Sequence, residues 1–135
     1  MLKKSAAAIA VSLLFAVPVA EAGKQQPVYD PGPISVDCKT FTANDMKKAI
    51  KTALLTRKWM PSEKGPGVIA GHLVNRTHIL DVEIKYTARD FDINYIGSEN
   101  LMYEVEDGQP VIHRNANLWM QNLERDIQLQ VAGNC

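Results

Sequence analysis

The sequence predicts an α+β fold: a three-stranded antiparallel sheet plus a small hairpin, with two amphipathic helices packed on one face. Three observations carry that expectation. Apolar residues alternate through most of "RTHILDVEIKYTARDFDINY" (76–95), the pattern of half-buried strands. Stretches before and after it repeat apolar residues every three or four positions, as helices with one buried stripe do. The order helix, strand, strand, strand, hairpin, helix then segregates the two kinds of element, which is the mark of an α+β layer.

The chain has 135 residues and opens "MLKKSAAAIAVSLLFAVPVAEAGK". Two lysines, an apolar run from Ala6 to Val17 and the small residues Ala20 and Ala22 form the pattern of a secretory signal peptide cleaved after Ala22. The run is shorter than the roughly 20 apolar residues that span a bilayer, so no transmembrane segment is expected. No cysteine follows it, so no lipid anchor is expected either. Removing 22 of the 135 residues leaves 113, enough for one core and too few for two. The expected organisation is a signal peptide (1–22), an extended, mobile arm (23–37) and a single α+β domain (38–135).

Without Lys3, Lys4 and Glu21, the 15 basic and 15 acidic residues become 13 and 14. A net charge near −1 gives no electrostatic footprint for nucleic acid, and no nucleic-acid partner is expected. The charges are nevertheless segregated along the chain. Lys39, Lys47, Lys48, Lys51, Arg57, Lys58 and Lys64 precede Asp81, Glu83, Asp90, Asp92, Glu99, Glu104, Glu106 and Asp107. A solvated basic helix face is the expected meaning, and a face that meets an acidic partner or anionic lipid headgroups is the alternative.

The arm follows from Pro27, Pro31, Gly32 and Pro33, which disfavour both helix and central strand. In "FTANDMKKAIKTALLTRKW", Thr42 and Asp45 stand in capping-box positions, with Phe41 and Met46 placed for a hydrophobic staple. The first helix should start near Ala43 and bury Met46, Ala49, Ile50, Ala53 and Leu54. "MPSEKGPG" should end it.

For the strands, a tight turn at Asn75 and Arg76 would set Leu73 opposite His78, Gly71 opposite Leu80 and Ile69 opposite Val82. A loop at Thr87 to Asp90 would set Tyr86 opposite Phe91, Ile84 opposite Ile93 and Val82 opposite Tyr95. All these residues share one face, and a one-residue slip would reverse every one of them. Asp107-Gly108 then marks the turn of a projecting hairpin. Trp119, Leu123, Ile127 and Val131 or Gln130 lie at helical spacing behind a cap at Asn115 or Asn117.

Candidates for chemistry are sparse. His78 should point to the buried face and His72 away from it, so they cannot share a metal ion, and neither a metal nor a cofactor is expected. Ser98 with His78 or His113 is the only nucleophile–base pairing the topology would allow, and it lacks a nucleophile elbow. Enzymatic activity, as a small hydrolase of envelope material, is therefore the alternative reading. The expected function is a non-catalytic binding or interaction module acting on an unknown envelope component or protein, as a monomer or weak homodimer. Val68, Ala70, His72, Ile79 and Ile96 leave the outer sheet face apolar enough to dock a partner chain or a second copy, unless the hairpin or the arm covers it.

Cys38 and Cys135 are the only cysteines, and an oxidising compartment would join them. The helices' relative direction stays open. Where the second strand begins and the third ends, Arg76, His78, Ser98, Asn100, His113 and Asn115 should converge near the start of the second helix. A small anion or carboxylate site is expected there. The alternative is that these residues merely cap turns.

Trp59, Gly65-Pro66-Gly67, Arg76-Thr77-His78, Tyr86, Tyr95, Ser98-x-Asn100-Leu101 and "IHRNANLWMQNL" resemble a family of short, functionally uncharacterised bacterial envelope proteins, many of them lipoproteins. The likeness runs from about Thr42 to Ile127. It departs from the family in the missing lipoprotein cysteine and in Ala116, where an aromatic residue is expected. The resemblance implies an envelope location and a small α+β fold, and no established activity.

Overall fold

The structure is a computed structural model that describes residues 24–135. The expected signal peptide lies outside the described residues. In chain order the elements are β1 (Gln25–Pro27), β2 (Ile34–Ser35), α1 (Ala43–Thr56), β3 (Met60–Gly65), β4 (Val68–Asn75), β5 (His78–Tyr86), β6 (Asp90–Glu99), β7 (Glu104–Glu106), β8 (Gln109–His113) and α2 (Arg114–Asn134).

The fold is α+β with two helices, but its strands form two antiparallel sheets rather than one three-stranded sheet with a hairpin. The larger has five strands in the order β2-β6-β5-β4-β3, and the smaller has three in the order β1-β8-β7. The segment expected to stand apart as an arm supplies an edge strand to each sheet. Strands of two and three residues show too few alternations to be read from a pattern, so their partners identify them.

The other added strand, β3, comes from the "MPSEKGPG" segment expected only to end the helix. Thr42 accepts the Asp45 backbone N–H and the Asp45 carboxylate accepts the Thr42 N–H, so the capping box forms. At the far end the Lys58 N–H reaches the Leu55 carbonyl and the Trp59 N–H reaches the Leu54 carbonyl. With Lys58 at φ 67°, this is a Schellman ending, sealed by contact between buried Leu54 and Trp59. Trp59 thus redirects the chain into β3. Pro61 is tolerated because β3 is the sheet edge, where a missing N–H breaks no interior ladder.

In the central strands the expected buried face is observed, with one register corrected. β5 and β6 pair Tyr86 with Phe91, Ile84 with Ile93 and Val82 with Tyr95. In β4 and β5, however, Leu73 faces Leu80, Gly71 faces Val82 and Asn75 faces His78. The turn is Arg76-Thr77, with Arg76 at φ 59°. This shifts the pairing by two residues and leaves every side chain on its expected face, since the strand period is two. A bulge beside Asp81 and Val82 makes Ile96 the extra residue of β6, and Ser98 then lies opposite Leu80.

The helices pack on the inner face, where Met46, Ile50, Leu54, Met120, Leu123 and Ile127 share one core with Ile69, Leu80, Ile84 and Phe91. Gly71 lets α1 approach closely: a Cβ there would lie 2.8 Å from the Leu54 side chain. Cys38 and Cys135 are paired as expected, with Cα atoms 5.7 Å apart. The start of α1 therefore adjoins the end of α2, and Arg57 at the other end of α1 meets Asp126 in mid-α2. The helices are antiparallel, the point their own patterns left open.

The hairpin turn has Asp107 at φ 50° and Gly108 at φ 78°, both left-handed, as the Asp-Gly pair demands. Helix α2 begins at Arg114, and its cap is His113 rather than Asn115 or Asn117. No helix among the described residues is long and apolar enough to cross a membrane.

Candidate functional site

Two regions follow from this frame: the end of the sheet where β5 begins and β6 ends, and the outer face of the five-stranded sheet. At the first, the 100–103 connection is held through its carbonyl oxygens. The His78 Nδ1 lies 2.6 Å from the Asn100 oxygen. The His113 backbone N–H donates to the Leu101 carbonyl at 2.8 Å, and Gln25 donates its side-chain amide to the Met102 carbonyl. Asn100 and Met102 both adopt left-handed backbone, at φ 56° and 57°. Such conformations persist only where neighbours hold them.

His78, Asn100, His113 and Asn115 thus come together, linked through this connection and the start of α2. Each spends a polar group on doing so. The Asn100 amide donates to the Thr77 carbonyl at 2.8 Å. The His113 Nδ1 accepts the Asn115 backbone N–H at 3.0 Å, capping the helix and fixing the remaining ring proton on Nε2. Ser98 faces inward, and its hydroxyl pairs with the Tyr95 phenol at 2.7 Å rather than with a histidine. Arg76 stays exposed in the β4–β5 turn. Burial holds the His113 imidazole below its ordinary range, and the positive charges of Arg114, His78 and Lys24 add to this.

Sequence reasoning missed the aromatic side of this corner. Tyr95 and Tyr103 stack at 4.6 Å between ring centres, and the His78 ring lies 6.3 Å from Trp119. Burial raises the Tyr95 phenol. Tyr103 belongs to an irregular connection with no period to read, so no local signal pointed to it.

The outer face is built differently. Strand alternation turns Met60, Ser62 and Lys64 of β3, Ala70, His72 and Val74 of β4, Ile79, Asp81 and Glu83 of β5, and Asn94 of β6 away from the core, with the bulged Ile96 beside them. The His72 Nδ1 meets an Asp81 carboxylate oxygen directly across the β4–β5 ladder. Around that pair Met60, Ile96 and Val74 are 65%, 59% and 56% exposed. Met60, Ala70, His72, Asp81 and Ile96 help line a hollow of about 370 Å³.

Neither expected cover lies over this face. The β7–β8 hairpin pairs with β1, and the N-terminal segment is tied to α2 by a hydrogen bond from the Tyr29 phenol to Glu124 and by the Asn117 amide. Both sit on the helix side. Among the described residues no group of three His, Cys, Asp or Glu side chains could hold a metal ion. No protein-family model, curated protein or solved structure matches the chain.

Proposed function

We propose that the protein is an exported, non-enzymatic interaction module of the bacterial envelope that engages a protein partner through the outer face of its five-stranded sheet. One observation carries the reading. Large apolar side chains stand more than half exposed on one face, Met60 and Ile96 lining a hollow and Val74 on the same face of β4, on a sheet whose inner face already buries a full core. Apolar surface grouped in this way costs free energy to keep in water, and a partner that covers it removes that cost. The signal-peptide pattern, the paired cysteines and the family resemblance support export.

A photo-crosslinking residue at position 96, in a bacterium exporting the protein, tests this. The reading expects a discrete protein adduct from position 96 and none from position 121, exposed on α2. Equal labelling at both positions, or none at 96, overturns it. A second reading places a small anion at the opposite corner, where Lys24, Arg114 and His78 bring positive charge to His113. Phosphate titration followed by the His78 and His113 NMR signals tests that one, and unmoved signals exclude it.

A further inference from the structure

The lysines of the first helix and the carboxylates of Asp81, Glu83, Asp92 and Glu99 lie on opposite sides of the five-stranded sheet. Lys48 and Leu55 stand on the solvent ridge of α1, with Lys51 between them and Lys58 just beyond the helix end, at steps of three and four residues. Leu55 is 57% exposed in their midst. Lys51, with Lys47, also contacts Glu63, while Lys48 and Lys58 point to solvent. This ridge is an apolar knob surrounded by positive charge.

The outer sheet face is its complement. The hollow rimmed by Met60 and Ile96 carries the carboxylates of Asp81 and Glu83 in its wall, and Asp92 and Glu99 lie on the same face of β6. Lys64 also lines the hollow and the His72 ring meets Asp81 in it, while Lys85 lies opposite Asp92, so Glu83 and Glu99 are the carboxylates of this face with no basic residue directly across the ladder. Apolar rim and acidic wall match apolar knob and basic flank.

From this complementarity, and resting on the proposed role of the outer face, we infer that its partner is a second copy of this chain, whose α1 ridge seats Leu55 in the hollow with Lys48 and Lys58 facing Asp81 and Glu83. The two surfaces lie on opposite layers of one domain, so they cannot meet within a chain. The contact is therefore heterologous, head to tail, and each added copy presents a fresh surface for the next. Surface charge pairing makes the association salt-sensitive.

Charge reversal in two separate variants tests the pairing in protein recovered from the periplasm. One carries Lys48→Glu with Lys58→Glu, and the other carries Asp81→Lys with Glu83→Lys. Sedimentation at low salt should show the natural protein growing past a dimer with concentration, and each variant alone should associate at least about tenfold more weakly. An equimolar mixture should associate and grow again, because the unaltered ridge of one variant meets the unaltered sheet face of the other and the two reversed surfaces are again opposite in charge. Leu55→Ser, uncharged and exposed, should weaken growth in the same way if either double variant fails to fold.

Three results overturn the inference: a natural protein that stays monomeric at every concentration, a helix variant that associates as the natural protein does, or a mixture that stays monomeric. The crosslink at position 96 separates this failure from that of the broader reading. An adduct to a different protein there, with no self-association, sinks the second copy and leaves the interaction face standing.

Discussion

The Asn117 carboxamide accepts the Tyr29 backbone N–H at 2.8 Å while its NH2 donates to the Pro27 carbonyl at 2.8 Å, so one buried side chain on α2 closes the N-terminal segment against the domain. The Tyr29 phenol adds a bond to Glu124. That bond, with burial and the Glu124 charge behind it, pushes the phenol up to about 12. The two contacts explain how a proline-rich stretch with little apolar content joins both sheets.

Asn117→Ala should destabilise the protein by about 2 kcal/mol, since it leaves a backbone donor and acceptor without partners. Urea unfolding measures it. A change below about 0.5 kcal/mol would mean that water replaces the amide without loss.

Gly71→Ala should cost about 1 to 3 kcal/mol through overpacking, because the new methyl would meet Leu54 at 2.8 Å and Val82 at 3.2 Å. Gly97→Ala, where a Cβ meets nothing within 4 Å, is the control in the same thermal melt.

Reducing the Cys38–Cys135 pair reopens a loop with a sequence separation of 97 and should lower stability by about 2 to 4 kcal/mol. Equilibrium unfolding with and without reductant reads the difference. Two free thiols in the unfolded, unreduced protein would show that the bond does not form.

Because the folded imidazole of His113 sits below its ordinary 6.5, its contribution is complete above that value and is lost as pH falls through the depressed folded value. Protonating Nδ1 also removes the acceptor that caps α2. Stability should therefore decline on mild acidification. His113→Asn, which keeps a cap acceptor and cannot titrate, should flatten that part of the profile. An NMR titration placing His113 at or above 6.5 would contradict the prediction.

Much of the fold was legible locally. Thr42 and Asp45 announce the start of α1 because their bonds span three residues, and Asp107-Gly108 announces its turn because few residue pairs accept two left-handed conformations. The central strands reveal their buried face through alternation alone, so a two-residue error in the β4–β5 register changed no side chain's side. His78, Asn100 and His113 lie near the start of α2, and what their polar groups do there was not legible. The His113 ring reads as a candidate ligand until the Asn115 N–H is found on it.

By itself, then, the sequence determined which face of the central strands and which stripe of each helix is buried, where the first helix and the Asp-Gly turn begin, and that the chain holds one cysteine pair, Cys38 and Cys135. Only the tertiary structure decided that Gln25–Pro27 and Ile34–Ser35 are edge strands, that Met60–Gly65 completes the larger sheet, that the helices are antiparallel and that neither the hairpin nor the described N-terminal segment covers the outer face. The physical reason is the range of the interactions. Periodicity, caps and turns arise within a few residues and leave a mark at each position. A strand of two or three residues, or an amide such as Asn117, has no local signature and takes its role from a backbone brought to it across the chain.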